Sequence, residues 1–105
     1  MSKIKWTSPQ AHKEAAWFQE VDRIFLGLET GICPVCEFAK LRFFFSRSLI
    51  EGRGGFWIWC PHCYTYLHIS CRVPDWWEDD ERVLNSNLTH NPEWLENHWA
   101  ELGQE

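Results

Sequence analysis

A chain of 105 residues and 12.6 kDa that is 45% hydrophobic, 16% aromatic and 24% charged has the composition of one small globular domain, not of a disordered tail. Its net charge of −5 is unevenly spread: residues 1–71 carry eight Lys/Arg against six Asp/Glu, and residues 72–105 carry two against nine. Nucleic acid is thereby disfavoured as a partner, because phosphate affinity rests on Lys and Arg, and a cationic partner suits the balance better.

The longest apolar run, Phe56 to Cys60, is far short of the ~18 residues a membrane span needs, and residues 1–10 hold no signal-peptide core. The expectation is a cytoplasmic chain with no membrane partner. Five cysteines is an odd number for a disulfide framework, so metal or thiolate chemistry is the better use for them.

Ser8-Pro9 is a helix-start signal, and Ala15, Trp17, Phe18, Val21, Ile24, Phe25 and Leu28 recur at three- and four-residue spacing. These predict an amphipathic helix over residues 9–28 that ends before Gly31 and covers one side of the cysteine-bearing module. Its charged face reads as an ordinary solvated surface. Three short strands are expected next, at Phe38–Phe45, Phe56–Trp59 and Tyr64–Ile69, with the glycines of Glu51-Gly52-Arg53-Gly54-Gly55 forming the turn between the first two. In the third strand Thr65, Leu67 and Ile69 share the face expected to be core. Val73-Pro74 closes the strand region, Asn85–Thr89 reads as loop, and Asn91-Pro92 opens a final short helix with Trp94, Leu95, His98, Trp99 and Leu102 on one stripe, stopping near Gly103. The fold class is α+β: residues 1–105 as one domain, a ribbon over 31–72, and an acidic loop with the last helix over 73–105.

Cys33-x-x-Cys36 and Cys60-x-x-Cys63 stand 23 residues apart, two turns each able to present two thiolates to one side. Such a pair of pairs fits tetrahedral zinc, and since all four corners are protein the site is closed and its role structural rather than catalytic. Chains this small bury little surface and often need such a staple. His62, His68 and Cys71 lie near enough in sequence to replace Cys63 as a ligand, and Cys-Pro-x-Cys pairs also occur as redox centres, though no βαβ pattern flanks either pair here.

Two surfaces invite partners. Asp75, Trp76, Trp77, Glu78, Asp79, Asp80 and Glu81 set two indoles beside a run of acids, and with Trp94 they form the candidate protein-binding surface: tryptophan anchors interfaces and carboxylates steer basic partners. The competing use of these tryptophans is packing, Trp76 or Trp77 on the ribbon and Trp94 and Trp99 on the first helix. Lys40, Arg42, Arg47 and Arg53, interleaved with Phe38, Phe43, Phe44, Phe45, Phe56 and Trp57, are the candidate nucleic-acid surface, by stacking plus phosphate contact; the same pattern also builds a hairpin core. The scattered histidines frame no nucleophile and no glycine loop matches a phosphate-binding pattern, so no catalysis is expected.

The stretch Cys33-Pro-Val-Cys36, Gly52-Arg-Gly-Gly-Phe-Trp-Ile-Trp-Cys60-Pro-His-Cys63, His68-Ile-Ser and Val73-Pro-Asp-Trp-Trp77 resembles small zinc-ribbon immunity proteins of bacterial polymorphic toxin systems, over about 45 residues in the middle of the chain. The resemblance implies a ribbon used as scaffold, a structural zinc on Cys33, Cys36, Cys60 and Cys63, and a cognate toxin domain as partner. A nuclease toxin, with its basic cleft, is complementary in charge to the acidic segment.

Overall fold

The computed structural model describes residues 5–47, 53–83 and 85–102, so the Glu51-Gly52 part of the turn and the stop near Gly103 lie outside the described residues. A helix α1 (Glu14–Phe25), entered through a 3₁₀ turn at Ala11–Lys13, precedes strands β1 (Arg42–Arg47), β2 (Arg53–Trp59) and β3 (Tyr66–Arg72), and a short helix α2 (Glu93–Asn97) runs into a last 3₁₀ turn at Trp99–Leu102. The strands form one antiparallel sheet in the order β1-β2-β3, with Phe44 opposite Trp57 and Trp57 opposite His68. This is the α+β class the sequence predicts.

Residues directly opposite share a face of the sheet, so the register sorts the aromatics. One face presents Phe43, Phe45, Phe56, Ile58, Leu67 and Ile69, and α1 covers it with Trp17, Val21 and Ile24. The other presents Phe44, Trp57, Trp59 and Tyr66, covered by Leu95, Trp99 and Leu102. Both faces are covered along the middle of β2, which is why Phe56-Trp57-Ile58-Trp59 reads as an unbroken apolar run instead of alternating. Trp99 therefore meets Trp59 edge-on at 5.3 Å on the face away from α1, not α1 itself.

Several boundaries differ from those expected. Ser8 does not cap: the residue before the first turn is Gln10, which has no side-chain cap. The helix ends at Phe25, three residues short of the expected end at Leu28. Gly27, at φ 81°, donates to Ile24 O at 2.9 Å while Leu28 N reaches back to Arg23 O at 3.0 Å, the paired bonds of a Schellman cap that needs a left-handed residue. Gly31 serves elsewhere: its N–H donates to the Glu20 carboxylate at 2.8 Å. Phe38 belongs to no strand and is 78% exposed, because the chain is still in the turn after Cys36, and Arg53-Gly54-Gly55 are strand residues rather than loop. Tyr64 likewise precedes β3, and Asn85–Asn87 is a 3₁₀ turn.

The tryptophan face is tied to α2 by one carboxylate. Glu96 Oε1 accepts from Trp59 Nε1 and from Arg42 Nη1, both at 2.8 Å, and Arg42 also lies 5.2 Å from the Trp99 ring. Trp59 is fully buried, so removing its acceptor leaves a buried donor unpaired. Glu96→Ala is expected to cost about 2 kcal/mol in urea unfolding and Glu96→Gln, which keeps an acceptor, distinctly less; equal losses would show that Trp59 does not depend on this bond.

Candidate metal centre

The two cysteine turns are built alike. In each, proline follows the first cysteine, and the residue after the second cysteine enters the left-handed region: Glu37 at φ 59° and Tyr64 at φ 62°. In each, that residue's N–H closes the turn on the carbonyl of the first cysteine, Glu37 N to Cys33 O at 3.0 Å and Tyr64 N to Cys60 O at 3.1 Å. The first turn is anchored by Cys33 N donating to Ala39 O at 2.8 Å and the second by Cys60 N donating to Thr65 O at 3.0 Å. Cys33 and Cys60 are thus fully buried beneath α1, while Cys36 and Cys63 are half-buried.

The four sulfurs converge. Cys33 Sγ lies 3.7 Å from Cys63 Sγ and Cys36 Sγ 3.6 Å from Cys60 Sγ, and all four are within 4.8 Å of one another. A disulfide needs about 2.05 Å, and all five cysteines are free thiols. A tetrahedron with metal–sulfur bonds of ~2.3 Å has edges of ~3.8 Å, so the spacing fits a metal held by four thiolates. Backbone N–H groups already point at the sulfurs: Val35 N at 3.3 Å from Cys33 Sγ, and His62 N and Cys63 N at 3.3 and 3.4 Å from Cys60 Sγ. Thr65 Oγ1 lies 3.3 Å from Cys63 Sγ.

Burial works against ionising this cluster. It pushes the Cys33 and Cys60 thiols up, and the neighbouring thiols Cys63 and Cys36 add to the rise. Burial pushes Cys36 the same way, but the Phe38 N–H and hydrogen bonds from Cys60, His62 and Cys63 outweigh it and bring the thiol down to about 6. A dication reverses the balance for Cys33 and Cys60 by supplying the charge that stabilises thiolates in a buried place. Cys33, Cys36, Cys60 and Cys63 are the residues that could hold the ion.

The other candidate ligands fall outside the four-sulfur group. His62 is exposed, its ring against Phe38 at 5.0 Å; His68 is on the opposite face of the sheet, stacked on Trp57; Cys71 packs in the α1-side core, opposite Gly54.

The acidic segment has a structural job as well. Trp76 is 43% exposed, yet its indole N–H donates to Phe25 O at 3.1 Å, satisfying a carbonyl at the end of α1. Trp77 packs against Phe43, Phe44 and Phe45. Arg47 fastens the segment to β1, donating to Pro74 O, Trp77 O and Asp79 Oδ1 at 2.8, 3.0 and 2.7 Å. Arg82 binds both Asp80 oxygens and holds that carboxyl below its ordinary range. Of the predicted acids, Asp75, Glu78 and Glu81 are exposed and without an ion pair among the described residues. Trp94 does not join them: it stacks on His98 at 4.1 Å and lines a separate depression with Glu93 and Asn97.

No helix among the described residues is long and apolar enough to cross a membrane. Compared with family models, curated proteins and solved structures, the chain finds no match.

Proposed function

We propose that this chain is a zinc-stapled, non-enzymatic binding protein that neutralises a cognate bacterial toxin domain in the cytoplasm, and that its acidic segment over residues 75–81 meets a basic cleft on that domain. The observation that carries the reading is the pairing of a closed four-thiol cluster, which offers a metal no open position, with the carboxylates of Asp75, Glu78 and Glu81, which have no ion pair among the described residues, beside a pinned, part-exposed Trp76. A rigid indole beside free acids suits steering and docking of a cationic surface. The accessible surface is 6787 Å², so a standard face of ~800 Å² occupies about an eighth of it.

The other reading, a nucleic-acid surface on the basic hairpin, has less to work with. Lys40 pairs with Glu29, Arg42 with Glu96 and Arg47 with Asp79, leaving Arg53 alone of the four without an ion pair among the described residues.

The test is co-expression with the toxic domain encoded by the adjacent gene. The wild-type chain is expected to restore growth and to co-elute with the domain. Replacing Asp75, Glu78 and Glu81 by Asn, Gln and Gln spares the Arg47 and Arg82 contacts, and should slow association by about tenfold at low salt while leaving the melting temperature unchanged. Unrestored growth with no complex would sink the toxin reading, and an unchanged association rate would remove the acids from it.

A further inference from the structure

The sheet's tryptophan face is covered only in part. Beyond Trp57, towards the hairpin end, the register places Ser46, Gly55 and Ser70 in one row across the three strands, and Arg53 opposite Arg72 in the next. Leu88 to His90 walls this end on one side, leaving a groove of about 620 Å³.

Charge sets the groove apart. In a chain with a net charge of −5, its ionisable lining among the described residues is Arg53, His68 and His90, with no carboxylate among them. Asp79 to Glu81 line a different depression along β1 that shares only Ser46 with it. Arg53 and Arg72 are like charges placed directly opposite each other, a destabilising arrangement in a sheet, and neither has an ion pair among the described residues. The four other arginines each hold a carboxylate. Two guanidinium groups with no ion pair among the described residues, Arg53 lining the groove and Arg72 opposite it on β3, call for an anion.

The walls are rigid and their polar atoms are spoken for on the far side. Trp57 Nε1 donates to Thr89 O at 2.9 Å, fixing the wall to the floor. His68 stacks on Trp57 at 4.4 Å and 10°, and His90 meets His68 edge-on at 5.1 Å. Tyr66 OH lies 2.8 Å from His90 Nδ1, which leaves Nε2 as that ring's remaining polar atom. The floor is bare backbone: a Cβ on Gly55 would sit 3.0 Å from His68 Nε2 and 2.9 Å from the Trp57 ring, so the glycine keeps both rings close to the strand.

We propose that this groove is an oxyanion site taking a phosphate monoester, with Arg53 and Arg72 on the phosphate oxygens, the imidazoles of His68 and His90 as further donors, and the apolar wall of Trp57 and Leu88 beside the group that carries the phosphate. Nothing in it depends on the toxin reading, which concerns the acidic segment fastened to β1 and can fail separately.

The experiment follows imidazole and backbone amide resonances of the metal-loaded full chain during titration with inorganic phosphate, AMP and adenosine at constant ionic strength. Saturable shifts at His68, His90, Gly54 and Gly55 are expected below about 10 mM phosphate or AMP, and none with adenosine. Tighter binding of AMP than of phosphate assigns an organic monoester; equal binding assigns free phosphate as the ligand. Arg53→Gln and Arg72→Gln, both exposed on the sheet margin, should each weaken binding about tenfold with the melting temperature and metal content unchanged. The proposal is overturned by the absence of saturable shifts, by shifts centred elsewhere, or by affinity that both arginine variants retain.

Discussion

Removal of the metal, by a strong chelator or by Cys60→Ser, is expected to abolish cooperative thermal unfolding, not merely to lower its midpoint. Structural zinc on thiolates contributes an apparent ~10–16 kcal/mol at neutral pH, against the ~5–15 kcal/mol net stability of a typical domain. The geometry explains why little would remain. Cys33 and Cys60 are themselves members of the α1-side core, and the chain from Gly31 to Leu41 is otherwise held by few backbone bonds, to Glu20 and within its own turn. Without the ion, two buried thiols stay protonated beside each other, and only thiol contacts and the Phe38–His62 ring contact hold the first turn to the second. Cys71→Ser is the control: Cys71 lies outside the four-sulfur cluster, so that variant should hold as much metal as the unaltered chain and keep a cooperative melt. Metal analysis with circular dichroism melts decides it, and an unaltered melt in chelator would refute the structural role.

The second large effect is expected at Gly54. A Cβ there would lie 1.9 Å from Ser46 O and 3.0 Å from Arg47 Cα, and both are backbone atoms of the neighbouring strand, which cannot swing aside as a side chain can. Gly54→Ala must part β1 from β2 at a point where Arg47 leaves to fasten the acidic segment. A loss of at least ~3 kcal/mol is expected, or no folded protein at all. Gly55→Ala is the informative comparison, since its Cβ meets ring atoms of Trp57 and His68, which can shift; about 1–2 kcal/mol is expected. Comparable losses in the two variants would mean that strand separation is not what Gly54 prevents.

The metal turns were legible because their geometry is local: two residues between cysteines, twice, already specify paired thiolates, and the fold only had to bring the pairs together. The strands and helices were legible from periodicity, but their ends were not. Gly27 and Gly31 are equal as sequence signals; what separates them is that Leu28 N reaches Arg23 O while Gly31 N finds Glu20. Arg53-Gly54-Gly55 looks like a turn because glycine permits one, whereas Gly54 is glycine on account of a carbonyl eight residues earlier. Nor does any local pattern say which helix covers which face: Phe-Trp-Ile-Trp announces burial on both sides without naming the cover. The acid run looked uniformly free, and the partner that removes Asp79 from it, Arg47, is 32 residues away.

The stretch from Pro74 to Asp79 lies along the outer margin of β1, and at the far margin Thr7 bonds to Tyr64 O and receives Tyr66 N. The β1 flank is thereby strapped and the β3 flank is covered at its first residue, Tyr66, which shortens the edge open to a foreign strand. On the β1 side, self-association by sheet extension is forestalled for as long as Arg47 keeps the strap fastened.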